Sequence, residues 1–249
     1  MRVFLAGATG AVGRTLLAQL LEAGQDVTGT TRSPARASFI QAMGAQPIVV
    51  DVFDAEAFSQ AISGARPDIV IDQLTDLPPG LDASRMEEGA RRNARIRSEG
   101  TRNLIAAMSR AGVRRIIAQS IAWIYADGSE PHSEGDRVEV NAEGSRGVTL
   151  KGVAVLEHLV LRSADIDGVV LRYGHLYGPG TGTPAGAPPS VHVDAAAAAA
   201  ALAIECAGAG IYNIAEPCQY LSIDKARREL RWDPSFRARG SQVGGPRLR

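Results

Sequence analysis

The chain has 249 residues, 45% hydrophobic and 22% charged, with 27 basic side chains set against 27 acidic ones. That size sustains a core without disulfide or metal staples, and the two cysteines, Cys206 and Cys218, form neither a disulfide framework nor a metal-ligand spacing. Balanced charge argues against a nucleic-acid partner, because such binding runs on a basic excess. The most apolar run, Ala195 to Ile204, is about half of the roughly 20 residues a membrane span requires. Only Met-Arg precedes the first strand-like run, which leaves no room for a signal peptide, so a cytoplasmic location is expected.

Short β-rich runs alternate with helical stretches, the pattern of a parallel sheet built from crossovers. Val3 to Ala6 reads as a strand, and Arg14 to Ala23 as a helix, with Leu16, Leu17, Leu20 and Leu21 at helical spacing and Gly24 as its stop. A strand at Val27 to Thr30, a helix at Pro34 to Met43 and a strand at Pro47 to Val50 follow. Residues 55 to 63 form a short helix and Asp68 to Asp72 a strand. The Pro-Pro-Gly loop at Leu77 to Asp82 opens into one long charged helix from Ser84 to Ala111, ended by Gly112. Arg114 to Gln119 is the fifth strand. Asp127 to Ser145 is polar and aperiodic, a loop over a site. Helix returns at Leu150 to Ser163, and Val169 to Tyr173 is the sixth strand. The Pro- and Gly-rich residues 178 to 190 mark a lid or a junction. The alanine-rich helix, a strand at Gly210 to Ile214 and a basic helix at Ile223 to Leu230 complete the order, and the tail from Gly240 frays. The fold class is therefore α/β: a Rossmann-type, doubly wound parallel sheet over residues 1–170, with a small C-terminal substrate-binding part, 171–249, partly interleaved with it.

Gly7-Ala8-Thr9-Gly10-Ala11-Val12-Gly13 lies between the first strand and the first helix. There the glycines provide a tight turn, close backbone approach to a dinucleotide diphosphate, and intimate helix packing, while the helix N-terminus attracts the anion. Dinucleotide folds that prefer NAD place an acid at the end of the second strand. This chain places Thr31, Arg32 and Ser33 there, and a guanidinium beside a hydroxyl suits a 2′-phosphate. NADP is expected over NAD.

The chain resembles the extended short-chain dehydrogenase/reductase superfamily, in particular its NAD-dependent epimerase/dehydratase branch. The resemblance rests on GATGAVG at 7–13, Asp51-Val52, EGTRNLIAAMSRAGVRRII at 99–117, Ser120 followed by Trp-Ile-Tyr at 123–125, LRYGHLYGPGT at 171–181, HVDAAAAAAALA at 192–203, GIYNIAE at 210–216 and KARRELRWDP at 225–234. It implies that Asp51 and Val52 contact the adenine, that Leu74 and Thr75 line the cofactor groove, and that Tyr173 to His175 approach the nicotinamide end. It also implies a homodimer, with helices near 84–111 and 145–163 pairing.

Family members carry a catalytic Ser or Thr and a Tyr-x-x-x-Lys pair one helical turn apart. No Tyr-x-x-x-Lys occurs in this chain. Aligned on Glu157, the helix puts Thr149 and Val153 at the two places; aligned on Lys151, it puts Gly147 at the tyrosine place. Ser120 is the nearest hydroxyl to the family's serine, and Tyr125 is a phenol just after the fifth strand, so these two are the candidate catalytic residues. Tyr177, His132, Glu134, Lys151 and His175 are secondary candidates, whereas His158 and His192 read as structural, with His192 capping the alanine-rich helix. The expected function is an NAD(P)-binding oxidoreductase acting on a small metabolite through a non-standard proton donor. The alternatives are an NADP-sensing protein without turnover and a non-redox lyase, isomerase or cyclase.

Overall fold

The computed structural model describes residues 1–206 and 208–238, without the side chains of Pro79 and Cys206. The expected fraying from Gly240 and the Cys206 thiol lie outside the described residues, whereas Cys218 carries a free thiol. Nine strands form among the described residues: β1 (Arg2–Ala6), β2 (Asp26–Thr31), β3 (Gln46–Val49), β4 (Ile69–Asp72), β5 (Arg115–Ile121), β6 (Asp167–Tyr173), β7 (His175–Tyr177), β8 (Ser190–His192) and β9 (Gly210–Ile214). Seven of them make one sheet in the order β3-β2-β1-β4-β5-β6-β9, parallel at every pairing. β4 is buried at all four positions because helices cover both faces of such a sheet, which is why it reads Ile-Val-Ile-Asp without alternation.

The helices are α1 (Ala11–Glu22), α2 (Pro34–Ala42), α3 (Ala55–Ala65), α4 (Met86–Arg95), α5 (Thr101–Ala111), α6 (Gly144–Arg162), α7 (Val193–Cys206) and α8 (Asp224–Glu229). One apolar layer joins the sheet to α1 and α7, with Leu16, Leu17 and Leu20 facing the alanines of α7. The other joins it to α3, α5 and α6 through Phe58, Ile62, Leu104, Met108, Leu156 and Val160. Strand order reverses between β1 and β4. Ligands of open α/β sheets bind in the crevice at such a point, beyond the carboxyl ends of the strands.

The long charged helix expected from Ser84 to Ala111 is instead a 3-10 turn (Ala83–Arg85), α4, a π turn (Ile96–Gly100) and α5, ended by Gly112 at φ +70°. Ile96 and Arg97 are both buried in the π turn. α6 starts six residues before the expected Leu150, since its polar first turns carry no apolar period to announce them. The 127–143 segment forms no helix or strand but is pinned by bridges of Tyr125 with Val138 and of His132 with Leu221. The small parallel pair β7–β8 left no signal in the sequence. The boundary expected at residue 170 falls inside β6, and β9 completes the main sheet.

Candidate cofactor and substrate site

The loop after β1 is held by backbone contacts that exclude side chains. Gly7 has φ +83°, and a Cβ there would lie 2.6 Å from the Gln73 carbonyl oxygen. A Cβ on Gly13 would lie 2.1 Å from the Gly7 carbonyl oxygen. Gly10 caps α1 without a side-chain hydrogen bond, and no acid occupies the first turn, so the free N–H groups of the helix face outward with a positive dipole end behind them. These features fit a dinucleotide diphosphate.

A cavity of about 250 Å³ gathers Gly7, Thr9, Gly10, Thr31, Arg32, Ser33, Asp51, Val52, Leu74 and Thr75, all expected at the cofactor, together with Arg36, which the sequence reading missed. The Thr9 and Thr31 hydroxyls lie 3.3 Å apart. Arg32 donates to both oxygens of Asp76, at 3.0 and 3.3 Å, and those bonds raise its pKa above the ordinary arginine value. The Asp51 carboxylate accepts from the Phe53 N–H at 3.0 Å, closing its own turn.

A second cavity, of about 760 Å³, shares Gly10, Gln73 and Thr75 with the first and opens toward the segments around Leu81 and Gly180. Ala11, Val12, Ser120, Tyr173 and His175 line it; Gly13 lines neither cavity and packs against the Gly7 carbonyl. Gln73, Arg97, Gln119 and Trp123 also line it. No residue of α6, the helix that would carry a Tyr-x-x-x-Lys pair, lines it among the described residues. Lys151 is exposed on the far side of α6, beside Glu87 and Arg91.

Under the cavity runs a buried polar chain. Ser120 Oγ donates to Glu157 Oε1 at 2.8 Å, and Arg172 grips both oxygens of that carboxylate at 2.9 and 2.7 Å. Burial pulls the Arg172 pKa down, but the bonds to Glu157 outweigh it and hold the guanidinium charged. Arg172 Nη1 donates to the Tyr125 hydroxyl at 2.9 Å, which donates to Asn213 Oδ1 at 2.6 Å. Tyr125 is thus placed differently from the expected phenol of the site. It is 4% exposed, its hydroxyl is spent in this chain, and it borders a separate cleft with His132 and Tyr220. Ser120 touches the cavity, but its hydrogen is committed to Glu157.

The secondary candidates disperse. His132 is buried, stacked on Tyr125 and 3.2 Å from Asp136, and Glu134 accepts from the Asn213 N–H at 2.9 Å, so the loop is anchored at these two residues. Tyr177 donates to Glu216 at 2.5 Å and accepts from Arg237 at 2.9 Å. His158 is exposed, and His192 Nδ1 accepts from the Asp194 N–H at 3.2 Å. His175 alone of this group lines the main cavity, its ring stacked on Trp123 with centroids 5.3 Å apart, and desolvation lowers its pKa. Tyr173 is a buried phenol with a raised pKa, to which Gln73 Nε2 donates at 3.3 Å. At the end of β4, burial lifts Asp72 to about 6 against the Leu74 N–H and the charge of Arg97. Burial brings Arg97 down to about 10, opposed by the charges of Glu157 and Asp72.

A parallel seven-stranded sheet with an uncapped helix N-terminus behind a glycine loop, set where strand order reverses, defines a Rossmann-type dinucleotide-binding protein. The model of NAD(P)H-binding proteins matches residues 7–203, and the chain belongs to that family. A 3-diazoavenalumate denitrifying reductase from a Streptomyces species is 36% identical over 258 aligned positions, covering 95% of this chain and 80% of the relative. A UDP-glucose 4-epimerase from Thermotoga maritima shares the fold at TM-score 0.77 and 19% identity, over 95% of this chain and 94% of that one. A Thermus thermophilus UDP-glucose 4-epimerase in complex with NAD gives 0.76 and 19%, over 96% and 95%. The chain therefore has a nicotinamide-dinucleotide-binding, reductase- and epimerase-like fold.

Proposed function

We propose that the protein is an NADP(H)-dependent reductase for a small acceptor whose reduction asks no side chain for a proton. The observation that carries this reading is the composition of the large cavity: α6 lends it no residue, the Ser120 hydrogen is already given to Glu157, and burial makes the Tyr173 phenol a weaker acid than an ordinary tyrosine. When bound, the nicotinamide would supply the hydride. The Gly7–Gly13 loop and the start of α1 would take the diphosphate, with Arg32, Ser33 and Arg36 toward a 2′-phosphate and Asp51, Val52, Leu74 and Thr75 along the adenosine half. Tyr173 and His175 would border the nicotinamide end. In this role Ser120 accepts a hydrogen bond from substrate, and Tyr125 is a positioning residue that holds Arg172.

An aryl diazonium meets the requirement. Its reduction balances as ArN₂⁺ + H⁻ → ArH + N₂, with the departing dinitrogen taking the place of a protonated product. The name of the Streptomyces relative, a denitrifying reductase of a diazo compound, supports that acceptor class. The test is protein-dependent NADPH oxidation with benzenediazonium beside a panel of aldehydes and ketones. Consumption of NADPH with release of dinitrogen, and slower or no reaction with the carbonyl compounds, is expected. Tight NADPH binding with no acceptor reduced overturns the proposal in favour of a cofactor sensor. A homodimer through α4 and α6 belongs to the same proposal, and a single monomeric species in sedimentation velocity overturns that part.

A further inference from the structure

Arg97 is 6% exposed, yet its side chain lines the large cavity. Its guanidinium makes no hydrogen bond and no ion pair within 4 Å among the described residues. A buried arginine with five idle donors is costly to keep, since burial opposes a charge that has no hydrogen-bonded partner. The two acids whose charge reaches it are otherwise engaged. Glu157 is gripped by Arg172 and Ser120, and Asp72 accepts from the Leu74 N–H at the end of β4. Arg97 sits in the π turn on the inward face of the helical run, four residues after buried Asn93 and four before buried Thr101.

The rest of the wall suits a flat organic body. Trp123 and His175 stack with 15° between their planes, and Leu77, Leu81, Met86 and Ile121 supply apolar surface. We propose that Arg97 is the anion-binding subsite of the substrate cavity, so that the substrate is an aromatic or conjugated acid whose carboxylate pairs with this guanidinium while its apolar body lies along Trp123 and Leu81. A planar guanidinium matches a carboxylate with two parallel hydrogen bonds. The assignment deepens the reductase reading and rests on it only for calling the cavity a substrate site. It also removes a difficulty of that reading, because a diazonium cation beside an uncompensated Arg97 would be repelled unless the same molecule brings a negative group.

The test measures binding and needs no turnover. Cinnamate and its neutral isostere cinnamamide are titrated calorimetrically into the NADP⁺-loaded protein, wild type and Arg97→Gln, with NADPH affinity measured alongside. Wild type is expected to favour cinnamate by about tenfold or more, consistent with a charge-assisted hydrogen-bonded pair. Arg97→Gln is expected to bring the two within about twofold at unchanged NADPH affinity. Arg97→Lys, which keeps the charge and loses the fork, falls between them and serves as the readout should the glutamine variant not fold. Equal affinities in wild type, a preference that survives in Arg97→Gln, or a parallel loss of NADPH affinity overturns the assignment. Cinnamate preference without reduction of any acceptor leaves the subsite standing and removes the reductase reading instead.

Discussion

Glu157→Gln is the substitution with the most to say about the cavity floor. The Glu157 carboxylate accepts three hydrogen bonds, two from Arg172 and one from Ser120, and the paired side chains are 11% and 3% exposed. Breaking a closed, buried pair by neutralising one member leaves the other charge buried without compensation, at a cost of about 3–5 kcal/mol. Glutamine retains one acceptor oxygen but turns an NH₂ toward the guanidinium or the serine, so about 3 kcal/mol is the expected loss. For a chain of this length that lowers Tm by roughly 6–12 °C. Urea unfolding followed by circular dichroism reads the loss directly, and at ordinary stabilities of about 5–15 kcal/mol the variant still folds. Replacing both partners by apolar residues, Glu157→Leu with Arg172→Met, is expected to restore most of it, because the desolvation cost disappears along with the attraction. A loss below about 1 kcal/mol in Glu157→Gln, the value of an exposed pair, refutes the view of this chain as a dry scaffold.

Three further outcomes follow from single contacts. Arg32→Ala is expected to lower the NADPH-to-NADH affinity ratio by about tenfold, a charge-assisted bond less the exposed Asp76 pair it gives up, and an unchanged ratio in fluorescence titration removes Arg32 from the 2′-phosphate. Asp72 holds its proton more tightly folded, about 6, than at its ordinary 3.8. The folded state therefore binds more protons between those values, and stability falls as pH rises through that window, by at most about 3 kcal/mol. Asp72→Asn is expected to flatten this slope in urea midpoints and to be the more stable protein at pH 7; a less stable variant refutes the sign. Gly7→Ala meets the Gln73 carbonyl at 2.6 Å in a left-handed backbone, so it is expected to lose cofactor affinity and thermal stability together, and a variant that keeps both shows that the loop relaxes freely.

Periodicity and punctuation made the cofactor half readable. Leu16, Leu17 and Leu20 announce α1, and Gly7, Gly10 and Gly13 announce the turn before it, because each acts through neighbours a few residues away. Thr31 and Arg32 stand at the carboxyl end of β2, a place the second strand marks in the sequence, whereas Asp51 and Leu74 were expected from the family resemblance; all four line one cavity. The floor of the large cavity is different in kind. Ser120, Glu157 and Arg172 are 37 and 15 residues apart in sequence, and nothing local in a buried acid on a helix or a buried arginine in a strand states which partner it finds. Tyr125 shows the converse, since its position after β5 suggested an active-site phenol, while the bridge to Val138 turns it toward Asn213 and Arg172.

Arg97 was hidden for a further reason. In the sequence it belongs to a run of arginines, Arg91, Arg92, Arg95, Arg97 and Arg102, that reads as the solvated face of a charged helix, and four of the five fit that reading by lying outside the core. The exception stands at helical spacing from buried Asn93, Thr101 and Leu104, a face that its own charge and its arginine neighbours conceal in the sequence. Burial opposes the charge placed there, so residue preference and final structure disagree. Such disagreements gather where function holds them against stability. Here they coincide at the carboxyl ends of β4, β5 and β6: Asp72 is lifted toward neutrality, Glu157 and Arg172 are closed on each other, and Arg97 is left open to the cavity. A chain that needed only to bind a dinucleotide would have no use for that last charge, which lies at the substrate side of the glycine loop rather than beside it. In the proposed substrate site the absent Tyr-x-x-x-Lys pair and the open Arg97 belong together, since a cavity to which α6 lends no proton donor is the one that would hold an anion at this guanidinium.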